Sequence, residues 1–145
     1  GAHALIDVVN QICGPGVGPV PQDHGLATVA PKLAKSDGAI DWTRPSQAIH
    51  DQIRGMSPWP CAFVTQDGGA LKIHGSRVVE GGSAMAGTMP GQVFAHEPEG
   101  PLVRCGDDVD ALLITRLQKP GRRAVSGADF LRGTQHAPGL MLEAL

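Results

Sequence analysis

The sequence predicts a mainly β protein: a small OB-like five-stranded barrel with short flanking helices and a long N-terminal linker. Three observations carry this expectation. Alternation with period 2 sets in at Cys61 and recurs in five short segments separated by Gly- and Pro-containing turns. Helical signals are confined to three short stretches. Residues 14–40 mix Pro15, Pro19, Pro21 and Pro31 with Gly14, Gly16, Gly18, Gly25 and Gly38, a connector too long for the inside of a compact domain. Five short strands with a small terminal helix suit a small closed barrel.

In chain order, Leu5, Val8, Val9 and Ile12 fall at i, i+3, i+4 and i+7, the apolar stripe of a helix that Gly14 and Pro15 stop. The stripe has no preceding partner in the sequence and must pack on something. Gly14 to Gly18 reads Gly-x-Gly-x-Gly, but no strand precedes it and prolines interrupt it, which excludes a dinucleotide loop. A second helix is expected from Arg44 to Met56, with Thr43 as N-cap, Pro45 in the first turn, Ile49, Ile53 and Met56 on its apolar side, and Pro58 as its stop. The expected strands are Cys61–Gln66, Ala70–Val79, Gln92–His96, Leu102–Cys105 and Ala111–Gln118, the first two joined through Asp67-Gly68-Gly69. Ser126 with Asp129 three residues on is a capping-box variant opening a helix over Gly127–Arg132. Val125 and Phe130 are placed as its staple, and Gly133 as its stop.

Composition narrows the function classes. Hydrophobic residues are 41% and charged residues 18% of 145, a globular balance. No apolar run is longer than Ala111–Ile114, far below the roughly 20 residues of a membrane helix, and no secretory leader pattern is present. The net charge of −2 excludes a uniformly basic nucleic-acid binder, but the distribution is uneven. Glu97, Glu99, Asp107, Asp108 and Asp110 meet only Arg104, whereas Lys119, Arg122, Arg123 and Arg132 meet only Asp129. Cys13, Cys61 and Cys105 are odd in number and lack metal spacing, which fits a reducing, cytoplasmic compartment. The six histidines form no i, i+3 or i, i+4 pair, so no metal site is expected.

No catalytic constellation is recognisable, whether nucleophile and base, paired carboxylates or phosphate loop. Asp107, Asp108 and Asp110 read as a solvated turn, since the closing Glu of an EF-hand is missing. The strongest functional candidate is Lys119-Pro120-Gly121-Arg122-Arg123, where Pro and Gly force a turn that crowds three cations at one tip able to meet phosphates. Trp42 and Trp59 could stack on bases, although burial in a core or contact uses indoles more often.

Several segments together resemble the region after the catalytic domain of methionyl-tRNA formyltransferases. They are Ala30-Pro-Lys-Leu-Ala-Lys-Ser-Asp-Gly-Ala-Ile-Asp-Trp42, then Arg54 followed by Ser57-Pro-Trp-Pro60, then Leu71-Lys-Ile73. Cys105-Gly-Asp107, Leu117-Gln-Lys-Pro-Gly-Arg-Arg123 and Ser126-Gly-Ala-Asp-Phe-Leu-Arg-Gly133 complete the set. The resemblance runs over roughly residues 1–133. It implies a parent enzyme that transfers a formyl group from 10-formyltetrahydrofolate to methionyl initiator tRNA in translation initiation. The catalytic Asn, His and Asp of the family belong to an N-terminal domain that these residues do not match. On this reading residues 1–13 are the last helix of that missing domain, 14–43 a linker, 44–133 the OB-like domain and 134–145 a tail. The chain, which opens at Gly1, is then expected to be inactive by itself and to carry no cofactor or metal.

The implied partners are initiator methionyl-tRNA and the missing catalytic domain, with no membrane contact and a monomeric state. By position, Lys32 and Lys35 match basic residues of the family's linker, and Lys119, Arg122 and Arg123 its basic loop. Arg44 and Arg54 join them as tRNA-binding candidates. Met56 stands where the family carries an aromatic residue, and the acidic stretch from Glu97 predicts weak RNA affinity for this region alone. Two other readings compete: the C-terminal domain of a folate-dependent sugar formyltransferase, and a stand-alone OB-type RNA-binding module. The Lys-Pro-Gly-Arg-Arg and Phe-Leu-Arg-Gly runs favour the tRNA branch.

Overall fold

A computed structural model describes residues 2–14, 20–66, 68–106, 109–133 and 139–143, without the side chain of Ala84. The chain divides into two units, Gly1–Lys32 and Leu33–Leu145. The first contains helix α1 (Ala2–Ile12) and a 3-10 turn, His24–Leu26. Helix α1 buries no residue, so Leu5, Val8, Val9 and Ile12 stand exposed along it. The predicted turn at Asp67, the reading of Asp107 and Asp108, and most of the Gly14–Gly18 segment lie outside the described residues.

The second unit is mainly β, as the period-2 segments predict. Its strands are β1 (Ala62–Gln66), β2 (Gly69–Glu80), β3 (Val93–Glu97), β4 (Gly100–Arg104), β5 (Asp110–Gln118) and the short β6 (Val125–Ser126). All pairings are antiparallel, in the order β1-β2-β5-β4-β3, with β6 added beside β5. The five expected strands are thus present within a few residues of their predicted bounds. β6 is new, because two residues are too few to show a period.

The closed five-stranded barrel needs correction. The described strands form a six-stranded sheet that is not closed, for β1 and β3 do not pair with each other. Residues 139–143 stand between them. On one side Thr65 N–H donates to Glu143 O at 2.9 Å and Glu143 N–H returns to Thr65 O at 3.1 Å. On the other, Val93 N–H donates to Leu140 O at 2.8 Å, Gly139 N–H to Val93 O at 2.7 Å and Leu142 N–H to Gly91 O at 2.9 Å. This seam consists of isolated bridges rather than a ladder, yet it satisfies edge groups that would otherwise face water. It also sends Leu142 into the core at 4% exposure.

The linker boundary at residue 43 likewise does not follow its Gly and Pro content. Ile40 N–H donates to Phe63 O at 3.0 Å beside β1, and Ile40 and Trp42 are buried in the core cluster with Ile49, Ile53, Ile73 and Ile114. The sheet unit therefore starts well before the expected residue 44. Gly91 shows why Trp42 fits. Its φ is +85°, and a Cβ there would sit 2.7 Å from Leu142 O and 2.8 Å from Trp42 Cδ1. The indole and the seam press together on a bare backbone.

Helix α2 (Ser46–Gly55) turns Ile49 and Ile53 inward as its stripe predicts. Thr43 is not its N-cap. The N-cap residue is Pro45, and Thr43 Oγ1 instead donates to Asp41 Oδ1 at 2.7 Å, which also accepts from Thr43 N–H at 3.0 Å. An Asp-centred turn ahead of the helix has displaced the cap. Met56 closes the helix, followed by a bend with cis Ser57–Pro58 and Trp59–Pro60 bonds. Helix α3 (Gly127–Gly133) has the predicted cap: Ser126 Oγ accepts from Asp129 N–H at 3.0 Å and donates to Asp129 Oδ2 at 2.6 Å.

The seam makes a stability prediction. Leu142→Ala should lower stability by about 2–4 kcal/mol, the range for truncating a buried leucine. A denaturation midpoint equal to that of the unaltered chain would mean that the seam packs without contributing.

Candidate nucleic-acid interface

The Lys119–Arg123 segment leaves β5 and returns into β6. Arg122 N–H donates to Lys119 O at 3.1 Å, and Gly121 has a φ of +66°. That is a β-turn with Pro and Gly at its two central positions, the conformation that the sequence requires. Arg122 and Arg123 are exposed, and Lys119 is partly covered. Lys119 Nζ lies 5.2 Å from the Phe130 ring centroid, a cation over an aromatic face.

The turn is braced from the sheet. Gln118 Nε2 donates to Arg122 O at 2.7 Å, which leaves Oε1 to accept from His74 Nε2–H at 2.9 Å. His74 Nδ1 in turn faces Cys61 Sγ at 4.0 Å, and that thiol donates to Pro58 O at 2.8 Å. Sequence reasoning missed Gln118 and His74. Both occupy polar positions of predicted strands, but only the β2–β5 register shows that they meet.

Beside the turn opens a cleft of about 320 Å³ lined by Lys119, Arg122, Arg123, Val125, Asp129, Phe130 and Gly133. Three cations surround a small apolar floor. The one acid, Asp129, is engaged: Ser126 bonds it and the Arg132 guanidinium lies against it, which together hold its carboxyl below the usual carboxylate range. The start of α3 is fixed against the sheet by glycines. A Cβ on Gly127 would lie 2.2 Å from Ile114 O, and one on Gly100 2.0 Å from the same atom. This close approach sets the wall of the cleft opposite the turn.

Of the seven candidate RNA contacts, the structure gathers Lys119, Arg122 and Arg123 into one tip. Lys35 opens a 3-10 turn, Lys35–Gly38, that Gln52 of α2 ties down through Asp37 O and Ala39 O, both at 2.9 Å. Arg54 is exposed on α2 but spends its charge on Asp51, Nη2 to Oδ1 at 2.9 Å. Arg44 precedes α2, and its carbonyl accepts from Gly106 N–H at 3.0 Å. Lys32 is exposed at the end of the first unit. Among the described residues no hydrogen bond, ion pair or ring contact joins Lys35, Arg44 or Arg54 to the turn. Trp42 is a core residue, whereas Trp59 is 54% exposed. No group of His, Cys, Asp and Glu among the described residues could hold a metal ion. No helix there is long and apolar enough to cross a membrane.

Residues 32–135 match the family described as formyl transferase, C-terminal domain. Curated relatives include the methionyl-tRNA formyltransferase of Bacillus velezensis, 37% identical over 98% of this chain and 44% of that protein. That of Stutzerimonas stutzeri is 38% identical over the same shares. That of Sorangium cellulosum is 42% identical over 86% of this chain and 39% of its own length. The chain thus spans less than half the length of these relatives. Among solved structures, HypX from Aquifex aeolicus in complex with tetrahydrofolic acid is 17% identical and has a TM-score of 0.58, covering 89% of this chain and 22% of that one. At that identity the likeness concerns the fold.

Asp129 supplies an acid-side prediction. Its folded-state value lies below the unfolded value of 3.8, so its contribution is present above that pH and is lost as pH falls through the folded value. Asp129→Asn should therefore lower the thermal midpoint at pH 7 and narrow the gap between midpoints at pH 7 and pH 3. An unchanged gap would show that the Ser126–Asp129 cap carries no acid sensitivity.

Proposed function

The chain belongs to the formyl transferase C-terminal domain family, and from that premise we propose that it is the tRNA-handling part of a methionyl-tRNA formyltransferase. The full-length enzyme in this reading formylates methionyl initiator tRNA for translation initiation. Its donor, 10-formyltetrahydrofolate, belongs to the preceding catalytic half, and the present residues act on the tRNA alone. The exposed stripe of α1, Leu5, Val8, Val9 and Ile12, is then the surface that the catalytic half covers. None of the described cysteines, Cys13, Cys61 and Cys105, is in a disulfide, in keeping with a cytoplasmic enzyme.

The observation that carries the proposal is the braced basic turn. A ligand with repeated phosphates matches three cations on one rigid tip better than a single-charge metabolite does. The cleft beside the turn has an apolar floor and an acid already engaged by Ser126 and Arg132, so phosphates are held at its rim rather than in its depth. Arg122 and Arg123 are the primary contacts. Lys119 joins them if a phosphate draws its ammonium from the Phe130 ring. The remaining candidates, Lys32, Lys35, Arg44 and Arg54, contribute at most peripheral charge, Arg54 least because Asp51 offsets it.

Titration with initiator methionyl-tRNA at several salt concentrations tests the reading, with Lys119→Glu, Arg122→Glu and Arg123→Glu combined in one variant. Binding is expected to be weak, to fall as salt rises, and to lose a slope of roughly 0.7–1 in log K against log salt for each phosphate contact removed. Absence of binding by both proteins at low salt would shift the role of this region towards supporting the catalytic half or towards a substrate other than tRNA.

A further inference from the structure

Three cations of the sheet unit are neutralised where they stand: Arg54 by Asp51, Arg77 by Glu99 and Arg132 by Asp129. Lys72 and Arg116 differ. Both are exposed, and neither has an acidic partner among the described residues. The sequence offers no reason to join them to the basic turn, since they lie on different strands and Lys72 is 47 residues from Lys119.

The register joins them. Lys72 stands opposite Gln118, the residue that braces the turn, and Arg116 stands opposite Gly75 on one side and Ser126 on the other. Alternation turns Lys72 away from the buried Leu71 and Ile73, and Arg116 away from the buried Leu117. Both therefore share the face that carries His74 and Gln118. Neighbouring strands lie about 4.8 Å apart and alternate residues about 6.7 Å, so Lys72 and Arg116 stand roughly 8 Å apart at the backbone. At the opposite end of the ladder Glu80 pairs with Asp110, but beyond the register shift at Gly75 both alternate with Val78, Leu112 and Ile114 of the core side and so leave the face of Lys72 and Arg116.

We infer that the phosphate-contacting surface continues from the turn onto the β2–β5 ladder through Lys72 and Arg116, which grip the RNA backbone beyond the tip. The inference rests on the tRNA reading. Two cations on the sheet behind a two-arginine tip provide a track for successive phosphates rather than a single anion site. The rigid strands hold their spacing with less loss of backbone freedom than a loop would require.

The test compares tRNA titrations over a salt series for the unaltered chain, Lys72→Ala with Arg116→Ala, Lys72→Arg with Arg116→Lys, and the charge-reversed turn variant, each checked for an unchanged thermal midpoint. The double alanine variant should lower the slope of log K against log salt by roughly 1.4–2, with affinity falling severalfold at low salt, and the exchanged pair should restore both. If the turn variant loses slope while the double alanine variant keeps it, the surface ends at the turn and the inference fails alone. If the unaltered chain does not bind, or if no variant changes the slope, the tRNA reading fails and takes the inference with it. Equal displacement of the tRNA by poly-glutamate of matched charge would reassign the surface to acidic protein partners and overturn the commitment to RNA.

Discussion

The β2–β5 ladder is the member to which the other parts of the sheet unit attach. It is the longest pairing in the fold, running from Lys72 opposite Gln118 to Glu80 opposite Asp110. Its inner face contributes Leu71, Ile73, Leu112, Ile114 and Leu117 to the core, each at 2% exposure or less. β1 pairs on one side of it and β4 and β6 on the other, while α2 reaches it through His50 Nδ1 and Ser76 Oγ, 3.0 Å apart. Register shifts around Gly75 bend the long strand, and a bulge of this kind increases twist and re-aims side chains. Slippage by one residue would turn the whole inner set towards solvent, so burial fixes the register as firmly as the hydrogen bonds do. The position of the basic turn follows directly, because it begins where β5 ends.

Two close approaches complete what the ladder begins. At one, Gly91 lets Trp42 and the 139–143 seam meet; at the other, Gly100 and Gly127 admit α3 against Ile114 O. Side chains are excluded at these points by distances below van der Waals contact, so the backbones pack directly. The first brings together segments from the two ends of the sheet unit, and the second sets α3 beside the basic turn. The site geometry is consequently a product of the core. Lys119, Arg122 and Arg123 are presented by a turn whose carbonyl is held by Gln118 and whose neighbouring helix is held by bare glycines.

Local chemistry was legible in the sequence wherever a single segment decided it. The period-2 runs gave the five principal strands, Ser126 and Asp129 gave the α3 cap, and Pro120-Gly121 gave the turn with its crowded cations. Features that depend on partners far along the chain were not legible. Ile40 and Trp42 sit among glycines and prolines, and their composition says linker although their side chains are core. The seam at 139–143 is too short for a period, and its pairing with Thr65 and Val93 spans many residues. Thr43 has the chemistry of an N-cap, but the Asp41 carboxylate two residues earlier claims its hydroxyl. The brace from His74 through Gln118 and the placement of Lys72 beside the turn need the register, which neither strand states alone.

The charge layout explains how a chain of net charge −2 can still serve a polyanion. Total charge governs long-range attraction, but contacts within a Debye length of about 8–10 Å respond to the local set, and here Lys119, Arg122 and Arg123 of the turn, with Lys72 and Arg116 beside it, form that set. Such a surface gives orientation more than affinity. With roughly four or five phosphate contacts, a slope near 0.7 per contact loses about 50-fold to 130-fold in binding between 50 and 200 mM salt. An isolated unit of this kind would hold RNA feebly at physiological ionic strength. Joined to a catalytic half that grips the same tRNA elsewhere, it would act at an effective concentration in the millimolar range, where weak and well-oriented contacts suffice. On the proposed reading, the turn, Lys72 and Arg116 then meet the RNA backbone along one face of the ladder.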